Sequence, residues 1–141
     1  MRLEGFSPNN VHDLLALARN PSETGESLDK LITKVKRSLH WYSDQEHVLL
    51  AILQHPNVER KTVYKIVKSF DMYMVRRAAI GTPYFDDDMF QIIRQYNDNV
   101  ATDMAIGSNK LSALSLISLG THENAWIRKH ALEKLSRMPL S

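Results

Sequence analysis

Apolar residues along the chain recur at intervals of three and four, the spacing of one face of an α-helix. The first copy of the pattern consists of Leu28, Leu31, Ile32 and Val35. Two further copies consist of Val63, Ile66, Val67 and Phe70, and of Met89, Ile92, Ile93 and Tyr96. A fourth copy, with Leu114, Leu116 and Ile117, follows the spacing less strictly. Alternating runs bounded by hairpin turns are missing from the sequence, which therefore predicts an all-α protein.

A shorter apolar stretch precedes each amphipathic stretch and ends in a polar residue or glycine, usually followed by proline. These stretches occupy residues 15–21, 50–56, 77–83 and 103–109, and a partial fifth copy occupies 130–132. The equivalent positions Leu31, Ile66, Ile92 and Ile117 are separated by 35, 26 and 25 residues. The first interval is longer by about nine residues, which predicts an insertion at 36–43. The unit that repeats is a short helix, a turn and a longer amphipathic helix.

A single helix pair cannot bury its apolar stripe alone, so repeated pairs are expected to stack into a continuous core. Small residues in the shorter helices would let neighbouring pairs approach closely; these are Ala16, Ala51, Ala78 and Ala105. The prediction is one domain, 1–141, built as a short α-solenoid of about four to five helix-pair repeats. Its repeats are expected at 11–35, 45–70, 73–97, 99–119 and 124–138.

Two short motifs resemble known helical repeats. Residues 17–32 contain Leu-Ala-Arg-Asn-Pro, a polar turn and Leu-x-x-Leu-Ile, and this resembles the variant leucine-rich repeats. Val-Arg-Arg-Ala at 75–78 and Ile-Arg-Lys-His-Ala at 127–131 resemble the opening of HEAT-like repeats. The resemblance covers about residues 11–137 and implies a right-handed solenoid of paired helices, without implying a function. Asn109 stands where the pattern has proline, and variant leucine-rich repeat proteins can carry a cysteine-ligated iron–sulfur segment that this chain cannot form.

Composition narrows the function classes. Hydrophobic residues make up 43% and charged residues 24% of the 141-residue chain, proportions typical of a folded globular protein. Cysteine is absent, which excludes disulfides, thiolate metal sites and a cysteine nucleophile and favours a reducing compartment. The first residues lack the apolar segment of a secretory signal, and no apolar run approaches the roughly 20 residues of a membrane span. We therefore expect a cytoplasmic protein that needs no cofactor and does not enter a membrane.

Basic residues recur in register with the repeat. Lys30, Lys34 and Arg37 lie at i, i+4 and i+7 of one predicted helix, and Lys61, Lys65 and Lys68 repeat this spacing in the next. By alignment on the apolar positions, Lys30 corresponds to Lys65 and Lys68 to Arg94, so stacked repeats would place them in adjacent rows. Such a row is suited to phosphates or to an acidic protein surface. It is equally what the solvent-exposed side of an amphipathic helix looks like.

Aromatic residues in the predicted insertion suggest a second surface. Trp41 and Tyr42 are adjacent there, and tryptophan and tyrosine dominate the energetics of protein interfaces. They form either an exposed anchor or a cap folded over the first repeat. Trp126, with Leu132 and Leu135, is predicted to be the cap at the opposite end.

No motif in the sequence indicates catalysis. The three carboxylates at 86–88 are adjacent, so on a helix they point about 100° apart and fit a helix N-terminus better than a metal. None of the six histidines forms a metalloprotease motif, and no nucleophile elbow, P-loop or dinucleotide fingerprint occurs. The sequence thus predicts neither an enzyme nor a metal site.

These observations favour a non-enzymatic binding module, an adaptor or inhibitor that docks a protein on a helix-lined, partly basic surface. The alternative is a nucleic-acid-binding HEAT-like protein that holds a phosphate backbone on the basic row. The residues expected to bind the partner are Lys30, Lys34, Lys61, Lys65, Lys68, Arg77, Arg94, Trp41 and Tyr42.

Overall fold

A computed structural model describes residues 10–139, which form nine α-helices and one short 3-10 turn without any strand. The all-α prediction is confirmed. The chain divides into two compact units, residues 1–78 and 79–141. The single domain 1–141 and the predicted repeat bounds stay predictions. No helix within the described residues combines the length and the apolar character needed to cross a membrane.

The first unit is built from α1 (Val11–Arg19), α2 (Gly25–Ser38), α3 (Tyr42–Gln54), α4 (Arg60–Ser69) and most of α5 (Tyr73–Ile80). Helix α1 packs against α2 and α3, and α2 packs against α3 and α4. The two apolar stripes predicted for α2 and α4 are buried at all positions, from Leu28 to Val35 and from Val63 to Phe70. The spacing argument is confirmed here because both helices are long enough to keep one face toward the core.

The second unit contains α6 (Asp87–Ile93) with its 3-10 continuation Arg94–Tyr96, then α7 (Asn99–Gly107), α8 (Ala113–Leu119) and α9 (Ala125–Ser136). Helices α7 and α8 both pack against α9, and α6 contacts α7. The core side chains of α6 are Met89, Phe90 and Ile93. Ile92 and Tyr96 are only half-buried, because the helix ends at Ile93 and the tighter 3-10 turn changes the phase of the following residues.

The register predicted for α8 is wrong. Leu114 is 79% exposed and Ile117 is 54% exposed, whereas Ser115, Leu116 and Leu119 are buried. The N-cap at Ser112 fixes where this seven-residue helix begins, and its hydroxyl accepts a hydrogen bond from the Ser115 N–H. In so short a helix the cap and the contacts of Ser115 set the buried face, which the apolar pattern alone did not indicate.

Small residues do pack between helices, but at other positions than predicted. Ala16 is exposed and Ala51 and Ala78 are half-buried; of the predicted set only Ala105 is fully buried. The other alanines that lie in the core are Ala18, Ala79, Ala101 and Ala131.

Most helix starts are fixed by a polar N-cap whose side chain accepts a backbone N–H three residues later. The residues in this role are Asn10, Thr24, Asp86, Asp98, Ser112 and Asn124. Helices α3 and α4 begin instead at Trp41 and Glu59, which make no side-chain cap.

Glycine is required at the start of α2 because the turn between α3 and α4 passes close to it. A Cβ at Gly25 would lie 2.9 Å from the backbone oxygen of Asn57 and 2.5 Å from Cγ of Glu59. The turn between α3 and α4 therefore rests directly on the first residue of α2.

Candidate binding surfaces

Five of the predicted lysines lie together on the outer side of α2 and α4, and we call this surface the basic face: Lys30, Lys34, Lys61, Lys65 and Lys68. Helix α4 carries four basic residues and no acid, and all of its buried residues are on the opposite side. The side chains of Lys30 and Lys61 are 73% and 62% exposed. The basic face is therefore accessible, and three of its five lysines lie within 3.8 Å of a carboxylate.

Asp29 joins the two helices that form the basic face. Its carboxylate accepts a 2.9 Å hydrogen bond from the Thr62 hydroxyl and a 2.7 Å bond from Nζ of Lys65. Burial alone would raise the pKa of Asp29, but these two hydrogen bonds outweigh it and hold the pKa below its usual range. Lys65 thus has a structural partner, and its role in binding is shared with holding α4 against α2.

The other ion pairs on the basic face are long and exposed. Lys30 lies 3.8 Å from Glu26 and Lys61 lies 3.7 Å from Glu59. Exposed pairs of this kind contribute little free energy, so a partner's carboxylate or phosphate can replace them at low cost.

A second surface, the aromatic edge, consists of Trp41 and Tyr42 at the start of α3, Tyr73 and Met74 in the first turn of α5, and Arg77 in its last turn. Trp41 is 74% exposed, so the alternative in which it caps the first repeat is wrong. The Arg77 guanidinium lies 4.8 Å from the centre of the Tyr73 ring, a cation–π contact that orients both side chains. Partial desolvation, with a contribution from Glu46, raises the pKa of Tyr42, so its hydroxyl remains a hydrogen-bond donor at neutral pH.

The aromatic edge lies near the carboxyl ends of α2 and α4, the two helices that carry the basic face. Nζ of Lys36, near the end of α2, lies 5.6 Å from the ring centre of Phe70, which directly follows α4. Trp41 follows α2 by three residues and Tyr73 follows Phe70 by three. The connections that carry the aromatic edge therefore lie beside each other at the carboxyl ends of the helices that carry the basic face.

Two arginines, Arg76 in the first unit and Arg128 in the second, each hold the turn that precedes their own helix. Arg76 is 6% exposed and donates from Nη1 to Asp71 at 2.7 Å. Arg128 stands at the equivalent position of α9 and donates to the carbonyls of His122 and Glu123 at 2.6 and 3.0 Å. Each arginine fixes its own helix to the turn before it.

Arg94 belongs to the second unit and has a local role there. Its Nη1 donates to the Ser118 hydroxyl at 3.0 Å, and its guanidinium lies 5.3 Å from the Phe90 ring. It connects the end of α6 with α8. Its predicted alignment with Lys68 stays a prediction.

The three adjacent carboxylates have separate positions, as expected for a helix N-terminus. Asp86 is the N-cap of α6 and accepts the Met89 N–H at 3.0 Å. Asp87 accepts the Ser112 N–H at 3.0 Å and the Ser115 hydroxyl at 2.7 Å, which ties α6 to α8. Burial would raise the pKa of Asp87, but the hydrogen bonds from the two serines lower it.

His55 links the turns of the first two helix pairs. It is 5% exposed; Nε2 donates to the carbonyl of Asn20 at 2.7 Å and Nδ1 accepts the Asn57 N–H at 2.9 Å. Asn57 then donates to the carbonyl of Glu23 at 2.9 Å. The sequence indicated an ordinary turn at His55 but gave no sign of these contacts, because the partner carbonyls lie more than 30 residues earlier.

A polar cluster in the second unit was also missed. Oδ1 of Asp103 accepts a hydrogen bond from Nε1 of Trp126 at 3.1 Å and lies 2.7 Å from Nδ1 of His130. Trp126 is 61% exposed and Leu132 is 50% exposed, so the predicted cap at this end is wrong. Trp126 and His130 are four residues apart on α9, and this spacing could have indicated that they share a face of the helix. It could not indicate Asp103, because that carboxylate lies on α7.

Comparison of the chain with protein-family models, with characterised proteins and with solved structures finds no match.

Proposed function

We propose that the chain is a non-enzymatic binding module that docks an acidic segment of a protein partner on the first unit. The observation that carries this proposal is that the first unit holds both the basic face and the aromatic edge, and that the aromatic edge lies near the carboxyl ends of α2 and α4. In the proposal the aromatic edge supplies the anchor and the basic face supplies charge complementarity.

The aromatic edge has the composition of an interface hot spot. Tryptophan, tyrosine and arginine are the residue types that contribute most to binding when they lie in one patch. Trp41, Tyr42, Tyr73 and Met74 all expose 40% or more of their surface, which is an unusual concentration of large apolar side chains on one protein surface. Arg77 is already stacked on Tyr73, so part of the ordering cost of the site is met before the partner binds.

The basic face supports an acidic partner. Complementary charge raises association rates and selects against basic partners, even where each ion pair adds little affinity. The ion pairs of Lys30 with Glu26 and of Lys61 with Glu59 are long and exposed. These lysines therefore lose little free energy when they exchange these partners for the carboxylates of a bound protein.

The proposal extends to the fold. We propose that the helix pairs are repeats of a short right-handed α-solenoid related to variant leucine-rich and HEAT-like repeats. Contacts between neighbouring helix pairs support this architecture. The first helix of one pair packs beside the first helix of the next, α1 beside α3 and α7 beside α9, and the second helices α2 and α4 also pack together. The absence of cysteine is the reason to propose the cytoplasm as the place of action.

The experiment is affinity capture from a nuclease-treated lysate with three baits and one control bait. They are the unaltered protein, a W41A/Y73A variant and a K61E/K68E variant, which leaves the structural Lys65–Asp29 pair intact. A K129E/R137E variant, with the same change of charge on exposed residues of the second unit, is the matched control. We expect both first-unit variants to lose a partner that the control retains; retention by all baits would overturn the proposal.

Nucleic-acid binding is the second candidate, favoured by exposed aromatics beside a row of lysines, which together suit stacked bases and a phosphate backbone. Its test is the fluorescence anisotropy of labelled single-stranded RNA, single-stranded DNA and duplex DNA at several salt concentrations. Binding that weakens steeply with salt and is lost in K61E/K68E would support this function, and no binding at low salt would remove it.

A further inference from the structure

We propose that the cluster of Asp103, Trp126 and His130 in the second unit is a binding site for an alkylammonium cation. The chemical class includes quaternary ammonium compounds and the methylated or unmodified side chain of lysine. This site is separate from the surfaces of the first unit, so it does not depend on the function proposed above.

Helix geometry brings the three side chains together. Trp126 and His130 are four residues apart on α9, so they lie on one face of that helix. Asn99 and Asp103 have the same spacing on α7, which packs against α9. A small groove runs between these two faces, with a volume of about 240 Å³, and its lining includes Asn99, Asp103, Asn124 and Trp126.

The carboxylate of Asp103 is held in position by hydrogen bonds to one of its oxygens only. Oδ1 receives Nε1 of Trp126 at 3.1 Å and contacts Nδ1 of His130 at 2.7 Å. Within residues 10–139, Oδ2 makes no hydrogen bond or ion pair. The bond to Nε1 also orients the indole ring, so the Asp103 carboxylate and the exposed ring are neighbours in the lining of the groove before any ligand arrives.

These properties indicate an organic cation. Among residues 10–139, Asp103 is the one formally charged residue that lines the groove, so the groove attracts positive charge. Trp126 is 61% exposed, and tryptophan is the aromatic residue that attracts cations most strongly through its ring face. The His130 ring lies next to that of Trp126, with the ring centres 6.1 Å apart and the planes tilted by 37°, so it supports the indole from outside the groove lining.

A metal ion fits the site less well. Calcium and magnesium need several oxygen ligands, and the groove offers one carboxylate. Among residues 10–139 there is no group of three histidine, aspartate or glutamate side chains able to hold a metal. The small volume also excludes most drug-sized ligands and suits an ammonium headgroup or the end of a lysine side chain.

Trp126 itself provides the readout. The chain has two tryptophans, so in a W41F variant all tryptophan emission comes from Trp126. This variant is titrated with choline and with its uncharged isostere, in which carbon replaces nitrogen. We expect saturable quenching by choline and none by the isostere at matched ionic strength.

The charge dependence is tested with D103N and E133Q, each in the W41F background. D103N removes the charge and keeps an oxygen for Nε1, and we expect it to weaken choline binding about fivefold or more. E133Q removes an exposed carboxylate from the same helix as Trp126 and should leave the affinity unchanged. Equal responses to choline and the isostere, or an unchanged affinity in D103N, would overturn the proposal.

A second variant guards against a folding defect in D103N. N99K places a lysine one turn before Asp103 on the exposed side of α7, where its own ammonium competes for the carboxylate. We expect N99K to keep its thermal midpoint and to lose choline binding; normal choline binding in folded N99K would contradict the site.

Titrations with acetylated lysine amide and acetylated trimethyllysine amide separate the two sources of the cation. Tighter binding of the trimethyllysine compound than of choline would assign the site to a protein side chain, and the reverse would assign it to a small molecule. Failure of all three cations to bind would overturn the inference without affecting the function proposed for the first unit.

Discussion

In four of the turns that follow a helix, a side chain accepts a hydrogen bond from the backbone N–H two residues later. The residues are Asn20, His55, Ser108 and His122, and their acceptor atoms are Oδ1, Nδ1, Oγ and Nδ1. Asparagine, histidine and serine replace each other because each offers an acceptor at the same short distance from the backbone. A shared hydrogen bond therefore repeats where the amino acid does not.

The contacts of His55 predict a clear effect of mutation. H55A removes the bonds to Asn20 and Asn57 from a buried position, so we expect the free energy of unfolding to fall by about 1–3 kcal/mol. H55N keeps an acceptor for the Asn57 N–H but cannot reach Asn20, and should lose less. Urea denaturation measures both. Equal stability of H55A and the unaltered protein would show that the link between the turns is unimportant.

Asp87 predicts how stability depends on pH. Its pKa is lowered in the folded protein, so its contribution is complete above the ordinary aspartate pKa of about 4 and is lost as pH falls through the lower folded value. D87N should lower the free energy of unfolding by about 1–2 kcal/mol at pH 7, and the difference should shrink below about pH 4. E133Q, at an exposed carboxylate, is the control. A constant difference from pH 7 to pH 3 would contradict this account.

Asn109 departs from the proline expected at its position for a conformational reason. Its φ is 65°, in the left-handed region. Proline fixes φ near −65°, so it cannot occupy this turn, whereas asparagine tolerates the left-handed conformation. The departure from the repeat pattern is therefore a change of turn type.

At the scale of the helix, α3 is notable because it starts at an exposed tryptophan that makes no side-chain cap. We expect W41S to raise the free energy of unfolding by about 0.5–1 kcal/mol, because serine supplies the missing cap and little buried surface is lost. Thermal denaturation measures the change, and the capture assay should show loss of the partner in the same variant. Lower stability of W41S would mean that Trp41 packs against the first unit.

The observed register of α8 makes an equally direct prediction. L116A should cost about 2–4 kcal/mol, since Leu116 is 2% exposed, whereas L114A should change stability by less than about 0.5 kcal/mol. The two variants delete the same atoms two residues apart in one helix, so they control for each other in chemical denaturation. Similar losses would restore the register expected from the apolar spacing.

At the scale of the whole molecule, the division into two compact units predicts where a core mutation is felt. Ile52 is fully buried in the first unit and Leu116 in the second. We expect I52A to lower amide hydrogen-exchange protection mainly in α1 to α4, and L116A mainly in α6 to α9, because local openings involve contiguous packed segments. Uniform loss of protection along the chain in both variants would show that the units unfold together.

The sequence by itself determined the helices that are long or well capped. The apolar stripes of α2 and α4 and the helix start at Asp86–Asp88 were predictable, because periodicity and capping act within a few residues of the chain. The exposure of Trp41 remained one of two alternatives. The pairing of Lys65 with Asp29, which joins α4 to α2, was not predictable from the spacing of the lysines.

Only the tertiary structure decided the features that join distant segments. The register of α8 depends on Ser115 meeting Asp87, the link between turns depends on His55 reaching Asn20, and the ammonium site depends on Asp103 meeting Trp126. Each contact joins residues more than 20 positions apart, so no local pattern of the sequence connects the two groups. Local spacing therefore defined which surfaces are helical, and packing defined which side chains meet on them.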